Sequence, residues 1–459
     1  MFRNFFCISC SRLSCRLAGL LISILLVVPA LISLAQSSDR EKPRLKNFGS
    51  SLKKLKWDPD RNQTSLRDAN TTQSGTDDVI KFETSLVACD LLVLDKQGHA
   101  VEGLKQSDFK ITENGTPQEV GHFLLGDNSG LSRSIVLIID YSGSQFPYIK
   151  NSVDAAKLLV DKLGPKDSMA IVTDDVEMIV DFTHDKNALK RKLDSILEKS
   201  KGSKGFLGFS RTNRQLGKSA QYSALMATLM EAFTAEDERP IIVFQTDGDE
   251  AFYLRNPIVV PSLPPNLPPE IKLEAQMEVE ARKKLQHDGL TEFSLDDVYR
   301  AVEKSRATIY TVVPGFKLIG LSKEAQVARV KEDDETRIAS AMALVGPKVR
   351  EAFKKREEER QKKLTPEILQ YRAEESVKIQ AALAEVATIS GGWTEFLEDP
   401  TQAQAIYSKI FADISQRYII GYYPTNKEHD GKRRSIGFEV KGHPEYSIIG
   451  RKYYYAPGP

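Results

Sequence analysis

Cysteine is scarce in this chain, with four among 459 residues. Three of them, Cys7, Cys10 and Cys15, lie close to the N-terminus, and only Cys89 lies in the body of the chain. Once an N-terminal leader is removed, one cysteine remains and an intramolecular disulfide is excluded. The six histidines are scattered without metal-ligand spacing, which argues against a zinc site.

Motifs of common enzymes are also missing. The chain has neither G-x-S-x-G nor H-E-x-x-H, so it lacks the signatures of serine hydrolases and zinc peptidases. Gly217-Lys218-Ser219 ends like a phosphate-binding loop, but Thr212 stands where the first glycine is required. With 64 basic and 63 acidic residues, no charge excess favours nucleic acid. We therefore expect no enzyme activity and no nucleotide or nucleic-acid partner.

The N-terminus has the layout of a secretory signal peptide. Three arginines and no acidic residue precede an apolar run at 17–34, and Ser33-Leu34-Ala35 supplies small residues for cleavage after residue 35. The alternative is an uncleaved membrane anchor, since the run is nearly long enough to span a bilayer. Both forms predict an exported protein that is secreted, periplasmic or associated with the cell envelope. Cleavage leaves 61 basic and 63 acidic residues, a net charge of −2.

Three segments outside the main domain differ in composition. Residues 36–80 are rich in Ser, Thr, Asn and Lys, and predict a flexible linker. Residues 81–128 and 417–459 contain short alternating apolar segments, with Asn114-Gly115 as a hairpin signal. We expect these two β segments to pair with each other into one small antiparallel domain, into which the intervening residues are inserted.

Residues 129–416 alternate buried strand patterns with amphipathic helix patterns. This alternation predicts an α/β domain with a doubly wound, mostly parallel sheet covered on both faces. A highly charged region at about 321–380, with runs such as FKKREEERQKK, predicts solvated helices inserted into this domain. A partner-binding arm is the alternative for this insertion.

The strongest candidate site follows the first strand of that domain. Residues 134–144 read SIVLIIDYSGS, which places Asp140, Ser142 and Ser144 on the loop at the strand's carboxyl end. Ligands bind at this edge in open α/β sheets, and carboxylate and hydroxyl oxygens are ligands of Mg²⁺ and Ca²⁺. The alternative is an ordinary turn in which Asp and Ser cap the next helix.

Two later loops offer further oxygen donors. Thr246, Asp247 and Asp249 follow another buried strand, and Ser219 precedes a predicted helix. A metal site needs ligands from more than one loop, so these residues extend the first candidate.

Together these motifs resemble the metal-ion-dependent adhesion site (MIDAS) of von Willebrand factor type A (VWFA) domains, with their Rossmann-like sheet. The resemblance implies a metal site formed by Asp140, Ser142, Ser144, Ser219 and Asp247. Lys218 and Ser219 depart from the family pattern, which has glycine and threonine there. The flanking segments VLDKQGHAVEGLKQSDFKITENG and RYIIGYYPTN resemble those of exported bacterial VWFA-related proteins, which are common in acidobacteria.

The resemblance implies an exported adhesion-type module for protein–protein interaction. Its cation, Mg²⁺ with Ca²⁺ or Mn²⁺ as alternatives, is expected to bind an Asp or Glu side chain of a partner protein. Two other functions stay open: a structural scaffold with a degenerate metal site, and a metal-assisted hydrolase.

Overall fold

A computed structural model describes residues 47–66, 86–125, 132–142, 148–201, 219–234, 239–256, 291–344 and 347–458, with Leu45, Gln145 and scattered residues between 264 and 280. By its contacts the chain divides into residues 1–46 and 47–459, and the elements below belong to the second unit. The predicted signal peptide, residues 1–35, lies outside the described residues. In the described part of the chain, no helix is both long and apolar enough to cross a membrane.

The elements follow one another in this order along the chain. The strands are β1 Leu55–Asp58, β2 Gln63–Leu66, β3 Val87–Leu94, β4 Phe109–Glu113, β5 Thr116–Gln118, β6 Val120–Leu125, β7 Arg133–Ile139, β8 Ser168–Thr173, β9 Glu177–Thr183, β10 Arg239–Gln245, β11 Thr308–Pro314, β12 Thr394–Leu397, β13 Tyr418–Tyr422, β14 Arg433–Val440, β15 Ser447–Ile449 and β16 Tyr453–Tyr455. The helices are α1 Ile149–Asp161, α2 Lys186–Lys201, α3 Gln221–Glu231, α4 Leu295–Lys304, α5 Lys323–Leu344, α6 Pro347–Lys363, α7 Pro366–Ser390 and α8 Ala403–Gln416.

The central sheet has the strand order β12-β11-β10-β7-β8-β9. Strand β7 lies between β8 and β10, and every pairing is parallel except that of the edge strand β9 with β8. The apolar β-branched composition of β7 suits a strand buried on both faces, and its last five residues are at most 1% exposed. The predicted doubly wound, mostly parallel fold is confirmed.

Helices cover both faces of this sheet. Ile135, Leu137 and Ile139 point into a core that includes residues of α1, α2 and α8. Side chains alternate along a strand, so Val136 and Ile138 face the opposite side. There α3 contacts β7 and β8, while α7 contacts β11 and β12. The strand ends at the carboxyl edge stay uncovered by these layers, which is where the candidate residues lie.

The N-terminal and C-terminal β segments form a separate antiparallel domain, also as the fold class predicts. Its two sheets have the orders β15-β3-β13-β6 and β16-β14-β4-β5. Strand β13 pairs with β3 on one side and β6 on the other, so neither segment completes the sheet alone. Residues of both sheets share one core. Cys89 lies 2% exposed in this core, and burial raises the pKa of its thiol to about 12.

Buried arginines attach this β domain to the α/β domain. Arg239, at the start of β10, donates to Asp90 of β3 at 3.1 Å, and Arg417 donates to Asp413 at 2.6 Å. Arg417 also donates to the carbonyl oxygen of Asp90 at 3.2 Å. Because Arg239 begins its strand, the β domain contacts the amino end of the sheet.

Part of the predicted linker is folded, which differs from our expectation. Residues 47–66 form a 3-10 turn and the β1–β2 hairpin. The backbone N–H groups of Gly49 and Ser51 donate to Glu231 at the end of α3, at 2.8 and 2.6 Å. Thr64 donates through its hydroxyl to Asp297 of α4 at 2.7 Å. Polar composition predicted flexibility, but these carboxylates bind the segment's backbone and hydroxyl donors.

The charged insertion is helical as predicted, but it is not solvated throughout. Helix α7 runs without a break from the insertion into the α/β domain. It begins at the N-cap Thr365 and ends at Gly391, whose φ is 84°. Ile368, Leu369 and Ala373 are at most 9% exposed, although they belong to the predicted solvated region. Charge composition alone does not reveal this burial.

Packing at Gly392 provides a stability test. A Cβ there would lie 1.9 Å from the carbonyl oxygen of Ile309 in β11. Because β11 is held by neighbouring strands on both sides, we expect Gly392→Ala to lower the free energy of unfolding by about 3 kcal/mol. Urea denaturation followed by circular dichroism measures this. Gly458→Ala, where nothing lies within 4 Å of the new Cβ, is the matched control; equal midpoints for both variants would contradict the packing.

Candidate functional site

Three carboxylates follow neighbouring parallel strands at the carboxyl end of the sheet. Asp140 follows β7, Asp174 follows β8, and Asp247 lies two residues beyond β10. The carboxyl ends of adjacent parallel strands meet at one edge, so these side chains converge. Asp247 and Asp174 are each close enough to Asp140 for electrostatic repulsion between the carboxylates.

Asp140 is 2% exposed and accepts three hydrogen bonds. Its Oδ1 accepts from the backbone N–H of Ser142 at 2.9 Å. Its Oδ2 accepts from the hydroxyl of Thr246 at 2.8 Å and from Nε2 of Gln221 at 3.0 Å. Groups from three loops therefore meet at this one carboxylate.

Asp174 fixes the loop that carries Ser219. Its Oδ1 accepts from the N–H of Tyr141 at 3.0 Å, and its Oδ2 accepts from the N–H of Ser219 at 2.9 Å. Ser219 has a φ of 54°, a left-handed conformation that is unusual for serine. The carboxylate thus compensates a strained backbone and brings Ser219 beside the first loop.

Asp247 carries an unsatisfied acceptor. Gln145 donates through Nε2 to Oδ2 of Asp247. Oδ1 of Asp247 and Oε1 of Gln145 are both buried, and neither has a hydrogen-bond partner among the described residues. A buried acceptor without a donor is costly, so these oxygens are suited to a cation or a ligand donor.

Two further acidic residues surround the same end of α3. Oδ1 of Asp249 accepts from Nε2 of Gln221 at 2.7 Å. Glu250 accepts from the N–H of Ser223 at 3.0 Å and from its hydroxyl at 2.6 Å. It also accepts from the N–H of Tyr222, and so caps the helix. Glu250 has a structural explanation, whereas Asp249 borders the open part of the site.

Burial and mutual repulsion raise the pKa values of Asp140, Asp174 and Asp249. Burial is the largest cause throughout, and neighbouring carboxylates add to it. The pKa of Asp140 is raised to about 6, with Asp247 as the next cause. The pKa of Asp174 is raised to about 8 by burial and by Asp140, and that of Asp249 to about 8 by burial and by Asp247. The site is thus prepared for protons or for a cation.

The sequence predicted some of these residues and missed others. Asp140, Ser142, Ser219 and Asp247 lie on loops that meet at this edge, whereas Ser144 and Lys218 lie outside the described residues. Among the residues that the structure describes, no three His, Cys, Asp or Glu side chains are placed to hold a metal ion together. Sequence reasoning missed three residues of the hydrogen-bond network: Gln145, Asp174 and Gln221. For Asp174 a signal existed, since it directly follows a buried strand.

A cavity of about 380 Å³ opens beside Asp247 and Asp249. Its other walls are the end of β11 and the facing sides of α5 and α7, which contribute Arg329, Asp333 and Arg372. The charged insertion therefore lies next to the candidate site rather than at a remote surface.

No protein-family model and no curated protein matches the chain. Comparison with solved structures does find structural similarity. Similar solved structures include an aerotolerance-related membrane protein from Bacteroides fragilis NCTC 9343, at 14% identity over 62% of this chain and 98% of that one, with a TM-score of 0.27. Von Willebrand factor type A from Catenulispora acidiphila has 12% identity, covering 76% and 74%, with a TM-score of 0.32. Manganese-loaded TRAP protein from Plasmodium vivax has 10% identity, covering 75% and 98%, with a TM-score of 0.27.

The doubly wound, mostly parallel sheet that the resemblance to VWFA domains implied is confirmed as a fold. Membership of the acidobacterial family stays a prediction.

The raised pKa of Asp174 predicts how stability depends on pH. A carboxyl with a higher pKa in the folded than in the unfolded chain stabilises the fold fully below about pH 4, and this contribution is lost as the pH rises through about 8. In chelator, we expect the free energy of unfolding to fall between about pH 5.5 and 8.5. The fall should be larger in the wild type than in Asp174→Asn, by on the order of 2 kcal/mol. Urea titrations at both pH values measure it, and parallel falls in the two proteins would contradict the assignment.

Proposed function

We propose that this chain is an exported protein-interaction module of the VWFA type. In this proposal, a divalent cation at the carboxyl end of the sheet binds an acidic group of a partner protein. The observation that carries it is the buried Oδ1 of Asp247, which has no hydrogen-bond partner in the described part of the chain and lies among other carboxylates.

The donor set fits a hard divalent cation. Asp140 and Asp247 supply carboxylate oxygens, and Ser142 and Ser219 supply hydroxyls, with Ser144 completing the sequence pattern. Mg²⁺ prefers such oxygen ligands, and Ca²⁺ or Mn²⁺ are the alternatives. A bound cation would supply a positive centre at which a partner carboxylate exchanges with water. The protein's role is to hold the oxygen donors together in a partly dry site.

The module is proposed to act by binding rather than by catalysis. The sequence lacks the common nucleophile and zinc-peptidase motifs, and the buried carboxylate of Glu250 is committed to capping α3. Export is proposed from the N-terminal signal pattern alone.

A structural scaffold with a degenerate metal site is the second candidate function. Gln221 favours it, because its Nε2 donates to both Asp140 and Asp249 and so occupies acceptor capacity that a cation would use. In this case the amide replaces the cation, and the loops serve only to complete the fold.

Calorimetric titration with Mg²⁺ separates the two candidates. We expect Asp140→Ala and Asp247→Ala each to raise the Kd at least about tenfold, because each removes a charged ligand. The matched control is Asp194→Ala on α2, whose side chain is 55% exposed, and we expect its Kd to equal that of the wild type. Equal affinity in all four proteins would refute the site, and absence of binding in the wild type would favour the scaffold.

Partner capture tests the mechanism itself. We expect immobilised wild-type chain to retain a protein from an exported or cell-envelope fraction in Mg²⁺ and to release it in excess chelator. Asp140→Ala should retain none in either condition, because the exchangeable position is lost. Capture that persists in chelator would contradict a metal-dependent contact.

A further inference from the structure

We propose that the charged insertion is a cap on the candidate site, held closed by the hydrogen bond between Tyr148 and Asp333. In the closed state α5 and α7 border the cavity that reaches Asp247 and Asp249, so a partner gains access when α5 moves away. The identity of the excluded partner rests on the function proposed above. The existence of the cap does not depend on that function.

The first contact joins the cap to the loop after β7. Tyr148 lies just before α1 and is 5% exposed. Its hydroxyl donates to Oδ1 of Asp333 on α5 at 2.6 Å. The contact lies at the end of β11, since a Cβ on Gly315 would be 4.0 Å from both the Tyr148 hydroxyl and the Asp333 carboxylate. The insertion is thus tied to the same loop that carries Asp140 and Ser142.

The second contact joins the cap to the loop after β10. Gly248, between Asp247 and Asp249, has a φ of 76°, and a Cβ there would lie 2.9 Å from the side chain of Leu383 on α7. Nearer the N-terminus of the same helix, Gln380 accepts a hydrogen bond from the backbone N–H of Leu318 at 2.9 Å. Helix α7 is therefore a fixed wall that supports the loop.

The two helices of the cap differ in how firmly they are held. Helix α7 has nine buried residues, and its C-terminal half packs into the α/β domain. None of the described side chains of α5 is buried. Polar contacts hold α5 instead, including Tyr148 to Asp333 and Arg372 to Asp334 at 2.7 Å. Elements with few buried apolar contacts open at low free-energy cost, so α5 is the part that moves.

Acidic residues outnumber basic ones on the cavity walls, which disfavours entry of an acidic group in the closed state. Its walls carry five carboxylates against two guanidinium groups, contributed by Asp247, Asp249, Asp333, Asp334, Glu375, Arg329 and Arg372. Arg372 already pairs with Asp334, and Arg329 lies over the ring of Phe316 at 5.1 Å. An acidic side chain entering this cavity meets like charge while α5 is in place. Movement of α5 removes two carboxylates, Asp333 and Asp334, and one guanidinium, Arg329, and it separates Arg372 from its partner Asp334.

Hydrogen–deuterium exchange of the full chain in chelator tests the cap without any metal. We expect Tyr148→Phe and Asp333→Asn each to raise amide exchange across residues 323–344 by about tenfold, because the first removes the hydrogen-bond donor and the second removes the charge of its acceptor. Exchange across 246–254 should rise with it, while α1 keeps its wild-type rates, which shows that the fold is intact. Glu358→Gln on α6, whose side chain is 60% exposed, is the control and should match the wild type.

Wild-type exchange rates of α5 in both Tyr148→Phe and Asp333→Asn would overturn the cap. So would a rise confined to α5 with no change across 246–254, since α5 would then not cover the loop. Mn²⁺ alone provides the second readout: on opening, the relaxation of solvent water protons by bound Mn²⁺ should increase about twofold or more in Tyr148→Phe, and equal relaxation would overturn the cap. If no variant binds Mn²⁺, the proposed function fails while the exchange result still decides the cap.

Discussion

The structure depends on one electrostatic constraint: several carboxylates are buried together where parallel strands end. Asp140, Asp174 and Asp249 have raised pKa values because burial and mutual repulsion both oppose their charged forms. Hydrogen bonds from Thr246 and Gln221 reduce this cost at Asp140 without removing it. The protein's own groups therefore leave part of the negative charge of these carboxyls uncompensated, and protons or a cation would compensate it.

The remaining domains are arranged around that edge. The β domain contacts the amino end of the sheet through Arg239 and Asp90, away from the candidate site at the carboxyl end. The folded part of the predicted linker lies against α3 and α4, through Glu231 and Asp297. Among the described segments outside the α/β domain's own loops, the charged insertion is the one that reaches the site, through Tyr148 and Asp333. In the proposed function, a partner therefore meets the insertion before it meets the candidate ligands.

Much of this could be predicted from sequence, for identifiable reasons. The apolar run before Asp140 and the alternation of elements predicted the sheet, because strand burial on both faces leaves a clear composition. Asp140 and Asp247 could be found because they end strands. Asp174 could have been found in the same way, whereas Gln221 could not, since a glutamine that starts a helix carries no signal of its role. The packing of α5 beside α7 was also hidden, because charge patterns reveal exposure but not which neighbour a helix contacts.

The measurement that tests the central claim most directly is proton release on binding of Mg²⁺ near neutral pH. Titrations in buffers of different ionisation enthalpy report it as a difference in apparent binding heat. The account predicts binding with release of about one proton or more, because Asp174 and Asp249, with pKa values near 8, lose protons when a cation enters. Binding heat that is the same in every buffer, or no binding at all, would contradict a cation site built on these buried carboxylates.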